Sequence, residues 1–174
     1  MTMKKLLLVV DMQNDFVTGS LGTQQAVDIV PNIKDKVLEF RMERNPIIFT
    51  KDTHYDNYLE TQEGKNLPVA HCIKGMPGHE IVGGLDTSDC FIFEKGSFGS
   101  LELAEYISKR EEISEIEICG LCTDICVVSN ALIIKAKFPE IKITVDSNAC
   151  AGVTKESHEA ALLVMKMCQV NVIM

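Results

Sequence analysis

Three side chains in this sequence are of types that together attack a carbonyl: a thiol at Cys126, a carboxylate at Asp11 and an ammonium at Lys95. A thiolate is the nucleophile, the carboxylate can take the thiol proton, and the cation can hold the negative charge on sulfur. No histidine is needed. Cys126 ends the run Gly120-Leu121-Cys122-Thr123-Asp124-Ile125-Cys126, after which Val127, Asn130, Ala131 and Ile134 continue with helical spacing. The spacing predicts Cys126 in the first turn of a helix, where the dipole and nearby backbone N–H groups favour a thiolate and a developing oxyanion. Taken singly, each residue has a plainer use: Cys126 as a buried small hydrophobe, Asp11 as the cap of a turn, Lys95 as an exposed cation. A second group, Asp52, His54, Glu63 and His71, offers two imidazoles and two carboxylates, a mixed set suited to zinc, manganese or iron. Histidines in polar loops are otherwise commonly just solvated.

Positioning these residues falls to short apolar runs at Leu6 to Val10, Pro46 to Thr50, Cys90 to Glu94, Ile116 to Cys119, Ile141 to Val145 and Val170 to Ile173, which read as strands. Between them, helical spacing groups Val30, Ile33, Val37 and Leu38 on one face, Leu101, Ala104 and Ile107 on another, and Ala160, Leu163, Val164 and Met167 on a third. Pro31 suits a first helical turn and Thr154 an N-cap. Strands apolar on both faces and alternating with helices predict a three-layer α/β/α, Rossmann-like fold with a roughly six-stranded parallel sheet. Such sheets bind ligands beyond the carboxyl ends of their strands. Asp11 follows the first strand, Asp52 the second, Lys95 the third, and the Gly120 to Cys126 run the fourth, so four strands deliver chemistry to one edge. The stretch from His54 to Ile81, with Gly64, Pro68, Gly75, Pro77 and Gly78, is expected to be a loop over that edge.

At 174 residues with 46% hydrophobic content, a single domain over residues 1–174 is expected. Lys4 and Lys5 precede an apolar run too short for a signal segment, and no stretch has the length of a membrane span, which predicts a cytoplasmic chain without a membrane anchor. The 17 basic against 25 acidic residues give a net charge of −8 with no basic run, arguing against nucleic acid as a partner. The seven cysteines are odd in number, so reduced thiols rather than a disulfide framework are expected.

The segments Val9-Val10-Asp11-Met12-Gln13-Asn14-Asp15-Phe16, Glu94-Lys95-Gly96-Ser97-Phe98 and Gly120 to Cys126 resemble, in order, the motifs of isochorismatase-like cysteine hydrolases, including nicotinamidases. The likeness extends over nearly the whole chain, and three motifs at three strand ends are far more specific than one. It implies an Asp11, Lys95, Cys126 triad that forms a thioester, releases ammonia and is restored by water. It also implies an oxyanion hole from the backbone N–H groups of Cys122 and Cys126, a cis peptide at Leu121-Cys122, and substrate contacts from Gln13 and Phe16. Members acting on isochorismate lack this nucleophile, so Cys126 favours amide hydrolysis, with nicotinamide foremost and carbamoyl or ureido compounds as alternatives. Nicotinamidase-like members hold a divalent metal through an Asp-x-His pair and a later His, which here implies Asp52, His54 and His71, with Glu63, or in its place Glu60, as fourth ligand. Zinc leads manganese and iron as its identity. Members usually assemble as homo-oligomers. One departure is that Leu67 and Pro68 stand where nicotinamidases place an aromatic residue, leaving Phe16 to stack on a ring.

Two other readings compete. Cys119-Gly120-Leu121-Cys122 is a C-x-x-C after a strand, as in thiol-disulfide oxidoreductases, although helical spacing begins only later. A catalytically silent binding domain is the other, and the presence of Asp11, Lys95 and Cys126 speaks against it. Cys72, Cys90, Cys150 and Cys168 are expected to be buried thiols, and His79 and His158 solvated or capping side chains.

Overall fold

A computed structural model describes residues 3–174. Its centre is β1 (Lys4–Val10), flanked in parallel by β2 (Ile47–Asp52) and β4 (Ile113–Leu121) and, from Leu6 onward, buried on both faces by the layers that cover the sheet. With β3 (Phe91–Lys95), β5 (Lys142–Ala151) and β6 (Asn171–Ile173) these form a six-stranded, all-parallel sheet in the order β3-β2-β1-β4-β5-β6. All six expected strands are present. The chain builds outward from β1 through β2 to β3, then returns to the other side of β1 for β4. The reversal leaves a crevice at the carboxyl ends of β1 and β4.

Before β2 come the short helices α1 (Asn14–Val17) and α2 (Gln24–Asp28), then α3 (Val30–Met42), which packs Ile33, Val37 and Phe40 against β1, β2 and β5. Next is α4 (Gln62–Asn66), in the segment over the sheet edge, which is otherwise loop with single 3-10 turns at Tyr58–Glu60 and Pro77–His79. The opposite layer is α5 (Leu101–Ser108), α6 (Val128–Lys137) and α7 (Lys155–Met167). Pro31 lies in the first turn of α3, and Thr154 caps α7 in a capping box with Ser157. Among the described residues no helix is long and apolar enough to cross a membrane.

The helical faces differ from expectation in three places. Leu38 and Leu101 are exposed, the core taking Phe40 and Leu103 instead. On α7 the whole expected stripe is exposed, and the core takes Ala161 and Met165. This helix carries two apolar stripes, and periodicity alone does not choose between them. The edge strand β3 is also more open than a strand covered on both faces, with Phe91 and Ile92 exposed. Cys168 is exposed and Cys90 half-buried, whereas Cys72 and Cys150 are buried as expected, and all seven cysteines are free.

A buried ionic cluster ties α3 to the sheet. Glu117 of β4, only 4% exposed at its side chain, receives both Lys5 and Lys36, and Lys36 Nζ also lies 2.6 Å from Asp146 Oδ2. Burial alone would raise the Glu117 carboxyl, but the two ammonium groups outweigh it and hold it below the ordinary range. A depressed carboxylate contributes stability above its unfolded value that is lost as pH falls through its folded one. Glu117→Ala is therefore expected to cost about 3 kcal/mol in urea unfolding at pH 7. The difference from wild type should shrink below about pH 4.

Candidate active site

Gly120 makes the crevice possible. Its φ is +117, and a methyl group there would lie 2.1 Å from the Val10 carbonyl oxygen, so only glycine lets β4 run this close to β1 just before both strands end. Asp11 follows with φ +47, a left-handed turn that short polar side chains tolerate, and its carboxylate is fully buried. Thr50 of β2 donates its hydroxyl to Asp11 Oδ1 at 2.5 Å and accepts the Asp11 N–H at 3.1 Å, fixing the carboxylate's orientation.

Lys95, the last residue of β3, reaches across β2 into this pocket. Its Nζ lies 2.6 Å from Asp11 Oδ2, 3.5 Å from Cys126 Sγ and 3.5 Å from Asp52 Oδ1, and it donates to the Ser97 carbonyl at 3.0 Å. Cys126 sits not in a regular α-helical first turn but in a π-helical turn, Thr123–Val127, that feeds α6. The Leu121-Cys122 peptide before it is cis. Asn130, in the first turn of α6, donates its amide to the Cys126 carbonyl at 2.8 Å and to Phe98 O at 3.1 Å, and its Oδ1 accepts Ser100 N–H at 3.0 Å. One buried amide thus joins the cysteine turn to the loop after Lys95.

The electrostatics follow from dryness. Burial, together with the Asp11 and Asp52 carboxylates, pushes the Cys126 thiol well above its usual range despite the pull of Lys95. Burial also raises Asp11, with Asp52 adding to it and Lys95 and Thr50 opposing. For Lys95 burial acts downward, but Asp11, Cys126 and Asp52 outweigh it, so its charge is held more firmly than in water. The arrangement is a protonated thiol beside a carboxylate with heightened proton affinity and a permanent cation. It suits transfer of a proton from sulfur to Asp11 as the sulfur attacks a carbon.

Beside it, Asp52, His54, Glu63 and His71 converge, each offering one ligand atom and all four within 4.8 Å of one another. His54 Nε2 is 3.1 Å from Asp52 Oδ2 and 3.5 Å from Glu63 Oε1, and His71 Nε2 is 3.7 Å from each of those oxygens. The Nδ1–H of His71 is directed at the Val69 carbonyl, 2.8 Å away, which leaves Nε2 as the lone-pair nitrogen facing the cluster. Asp52 turns Oδ2 toward both imidazoles and Oδ1 toward Lys95 Nζ. Two imidazole nitrogens and two carboxylate oxygens converging on one point fit a divalent cation. Of the two glutamates considered, Glu63 joins the cluster, while Glu60 lies exposed outside it.

A cavity of about 260 Å³ opens over both groups, lined by Phe16, Leu67, Phe98, Cys122, Cys126 and Val153 among others, with Asp52, Glu63 and His71 on one wall. Phe16 faces it as expected, its ring 5.5 Å from that of His71. Gln13 is the correction: it is wholly buried behind Asp52, its Oε1 accepting Asp52 N–H at 2.7 Å and its Nε2 donating to Asp52 O at 2.8 Å and His79 O at 2.9 Å. Both ends of its amide are used on backbone, so it positions Asp52 and has nothing left for a substrate. His79 is likewise buried, 2.9 Å from Thr53 Oγ1, and half-buried His158 meets Thr123 Oγ1 at 2.8 Å. Cys119 is fully buried inside β4, out of reach of any external disulfide, so the C-x-x-C opens no redox site.

Tyr58 escaped sequence reasoning. Its ring packs 4.7 Å from His54 and 5.0 Å from His71, and its hydroxyl donates to Leu67 O at 2.9 Å. Four residues after His54, it had the spacing of a neighbour on a helical turn, but the segment reads as loop.

The isochorismatase domain family matches residues 5–174. The chain is 27% identical to the nicotinamidase/pyrazinamidase of Mycobacterium tuberculosis, the alignment covering 97% of this chain and 98% of that one. Among solved structures it superposes on the nicotinamidase/pyrazinamidase PncA of Bacillus subtilis with a TM-score of 0.87 at 28% identity, covering 99% of this chain and 100% of the other. It superposes on a pyrazinamidase of Pyrococcus horikoshii in complex with zinc with a TM-score of 0.86 at 27% identity, covering 98% of both. The family match spans the sheet, the cysteine turn and the Asp/His cluster alike, and the chain belongs to the isochorismatase family.

Proposed function

We propose that this protein is a cysteine-dependent amidohydrolase that converts nicotinamide to nicotinate and ammonia through a thioester on Cys126. The observation that carries the reading is the placing of Lys95 Nζ, 2.6 Å from Asp11 Oδ2 and 3.5 Å from Cys126 Sγ, beneath a cavity whose lining includes Cys126 and the Asp52, Glu63 and His71 side chains. Asp11 takes the thiol proton as Sγ bonds to the amide carbon. The resulting oxyanion accepts hydrogen bonds from the backbone N–H groups of Cys122 and Cys126. Asp11 then returns the proton to the amide nitrogen, the C–N bond breaks and ammonia leaves. Water attacks the thioester while giving a proton to Asp11, and collapse of the second oxyanion frees the acid and returns the proton to sulfur. Lys95 stays charged throughout, balancing the sulfur and oxygen anions in turn.

Asp52, His54, Glu63 and His71 would hold a divalent cation, zinc before manganese or iron. Bound there, such an ion supplies a coordination position for a heteroatom of the substrate, orienting its amide toward sulfur. Phe16 offers a face for the ring.

Carbamoyl and ureido compounds are the second reading, and the charge of the cavity separates the two. No arginine or lysine is among its lining residues, whereas Asp52 and Glu63 are, and Lys95 beneath is already paired with Asp11. With the charge of Asp52 and Glu63 balanced by the ion they would hold, a substrate carrying its own carboxylate would be desolvated among Phe16, Leu67, Phe98 and Val153 with no arginine or lysine to receive it. kcat/KM for nicotinamide is expected to exceed that for N-carbamoylglycine by at least about 100-fold, a desolvation cost of a few kcal/mol. The reverse preference, read by ammonia release from each, would overturn nicotinamide as the substrate.

A further inference from the structure

Asp15, four residues after Asp11, faces neither the cavity nor the triad, yet its carboxylate is the hub of the loop that carries the two histidines. Asp15 Oδ2 accepts the Cys72 N–H at 2.7 Å. Cys72 is fully buried with φ +47, a left-handed conformation that its side chain does not favour. The carbonyl of Cys72 in turn accepts the His54 N–H at 3.0 Å, and the His54 carbonyl accepts Lys74 N–H at 2.9 Å. His71 immediately precedes Cys72. One residue therefore has its N–H held by Asp15, its C=O bound to the backbone of one histidine, and its peptide link shared with the other. The loop also folds back over the same carboxylate: a methyl group on Gly78 would stand 2.1 Å from Asp15 Oδ2, and one on Gly19 would stand 2.5 Å from Oδ1.

We propose that Asp15 is a positioning residue for the metal-binding cluster, holding the His54 and His71 backbones at the separation a divalent cation needs by fixing Cys72. The proposal rests on the reading of that cluster as a metal site. Groups that orient ligands without touching the ion typically govern metal affinity by about 10–100-fold.

The test is titration of chelator-stripped protein with cobalt(II), followed by its visible absorption, alongside the rate at which iodoacetamide alkylates Cys126. Asp15→Ala is expected to weaken cobalt binding by about 10–100-fold, with the alkylation rate of Cys126 unchanged, which a general loosening of the fold would not leave so. Asp15→Asn, whose Oδ1 can still accept the Cys72 N–H, should recover most of the affinity. Gly78→Ala, which displaces the carboxylate without removing it, should weaken binding in the same direction and serves if Asp15→Ala does not fold. Wild-type affinity in Asp15→Ala or in Gly78→Ala would overturn the positioning role and leave the metal site standing. Failure of the wild-type protein to bind cobalt would overturn the metal site, and the role of Asp15 with it.

Discussion

Cys126→Ala is expected to lower kcat for amide hydrolysis by at least about 10⁴-fold, the scale on which loss of a nucleophile acts when the other members of its set have nothing to activate. The fold should survive. Cys126 is held by backbone, through the Asn130 amide on its carbonyl, which the variant keeps; it loses the 3.5 Å contact from Lys95 Nζ, and Lys95 retains Asp11 and the Ser97 carbonyl as partners. A fall in Tm of more than about 4 °C, the mark of roughly 1 kcal/mol in a chain of this size, is not expected. Cys126→Ser should be almost as inactive, because a hydroxyl gives its proton to Asp11 far less readily than a thiol does. Retained turnover in either variant, measured as ammonia release, would contradict the assignment of the nucleophile.

Lys95→Met is expected to remove both activity and stability. Lys95 Nζ is the cation nearest to Asp11 Oδ2, at 2.6 Å, and lies 3.5 Å from Asp52 Oδ1, in a pocket closed to water. Its loss leaves two buried carboxylates facing each other, a change that typically costs about 3–5 kcal/mol. The sign of the pH dependence follows. Asp11 is already raised by burial and by Asp52 against the pull of Lys95, and without the ammonium it rises further. A carboxylate whose folded value lies above its unfolded one destabilises fully above the folded value, and the penalty shrinks as pH falls from the folded value to the unfolded one, below which it is gone. The variant's deficit in urea unfolding should accordingly be largest near pH 8 and shrink toward pH 5, whereas the Glu117→Ala deficit persists over that range. For activity a loss of about 10³-fold is expected, since the sulfur anion has no counter-charge. A variant with wild-type stability at pH 8 would contradict the pairing.

The strands and the triad were legible in the sequence for one reason. A parallel strand buried on both faces is a short apolar run, and the residue type changes abruptly where the run ends. Asp11 and Lys95 each sit at such a change, Cys126 lies in the turn that follows the fourth strand, and the doubly wound topology brings these ends together. The cluster of Asp52, His54, Glu63 and His71 was weak by spacing alone, because Glu63 and His71 come from a loop without periodicity, and the family resemblance is what singled it out. What stayed hidden depends on backbone rather than on residue pattern. Gln13 spends its amide on Asp52 and His79 main-chain groups, and Asp15 spends its carboxylate on Cys72 N–H. A polar residue beside a motif reads as a substrate contact when its real partner is a peptide group far along the chain. Tyr58 was hidden because its loop has no period to place it. The α7 face was misassigned because burial follows from packing against β5 and β6, and both of its stripes are apolar.

The most direct test is to incubate the metal-loaded protein with nicotinamide and hydroxylamine and to measure ammonia, nicotinate and nicotinohydroxamate together. A thioester on Cys126 partitions between water and the added amine. Ammonia should appear in an amount equal to nicotinate plus hydroxamate, and the hydroxamate share should rise with hydroxylamine. Ammonia accompanied by nicotinate alone at every hydroxylamine concentration would contradict the covalent intermediate. No ammonia from a folded, metal-loaded protein would contradict nicotinamide as its substrate.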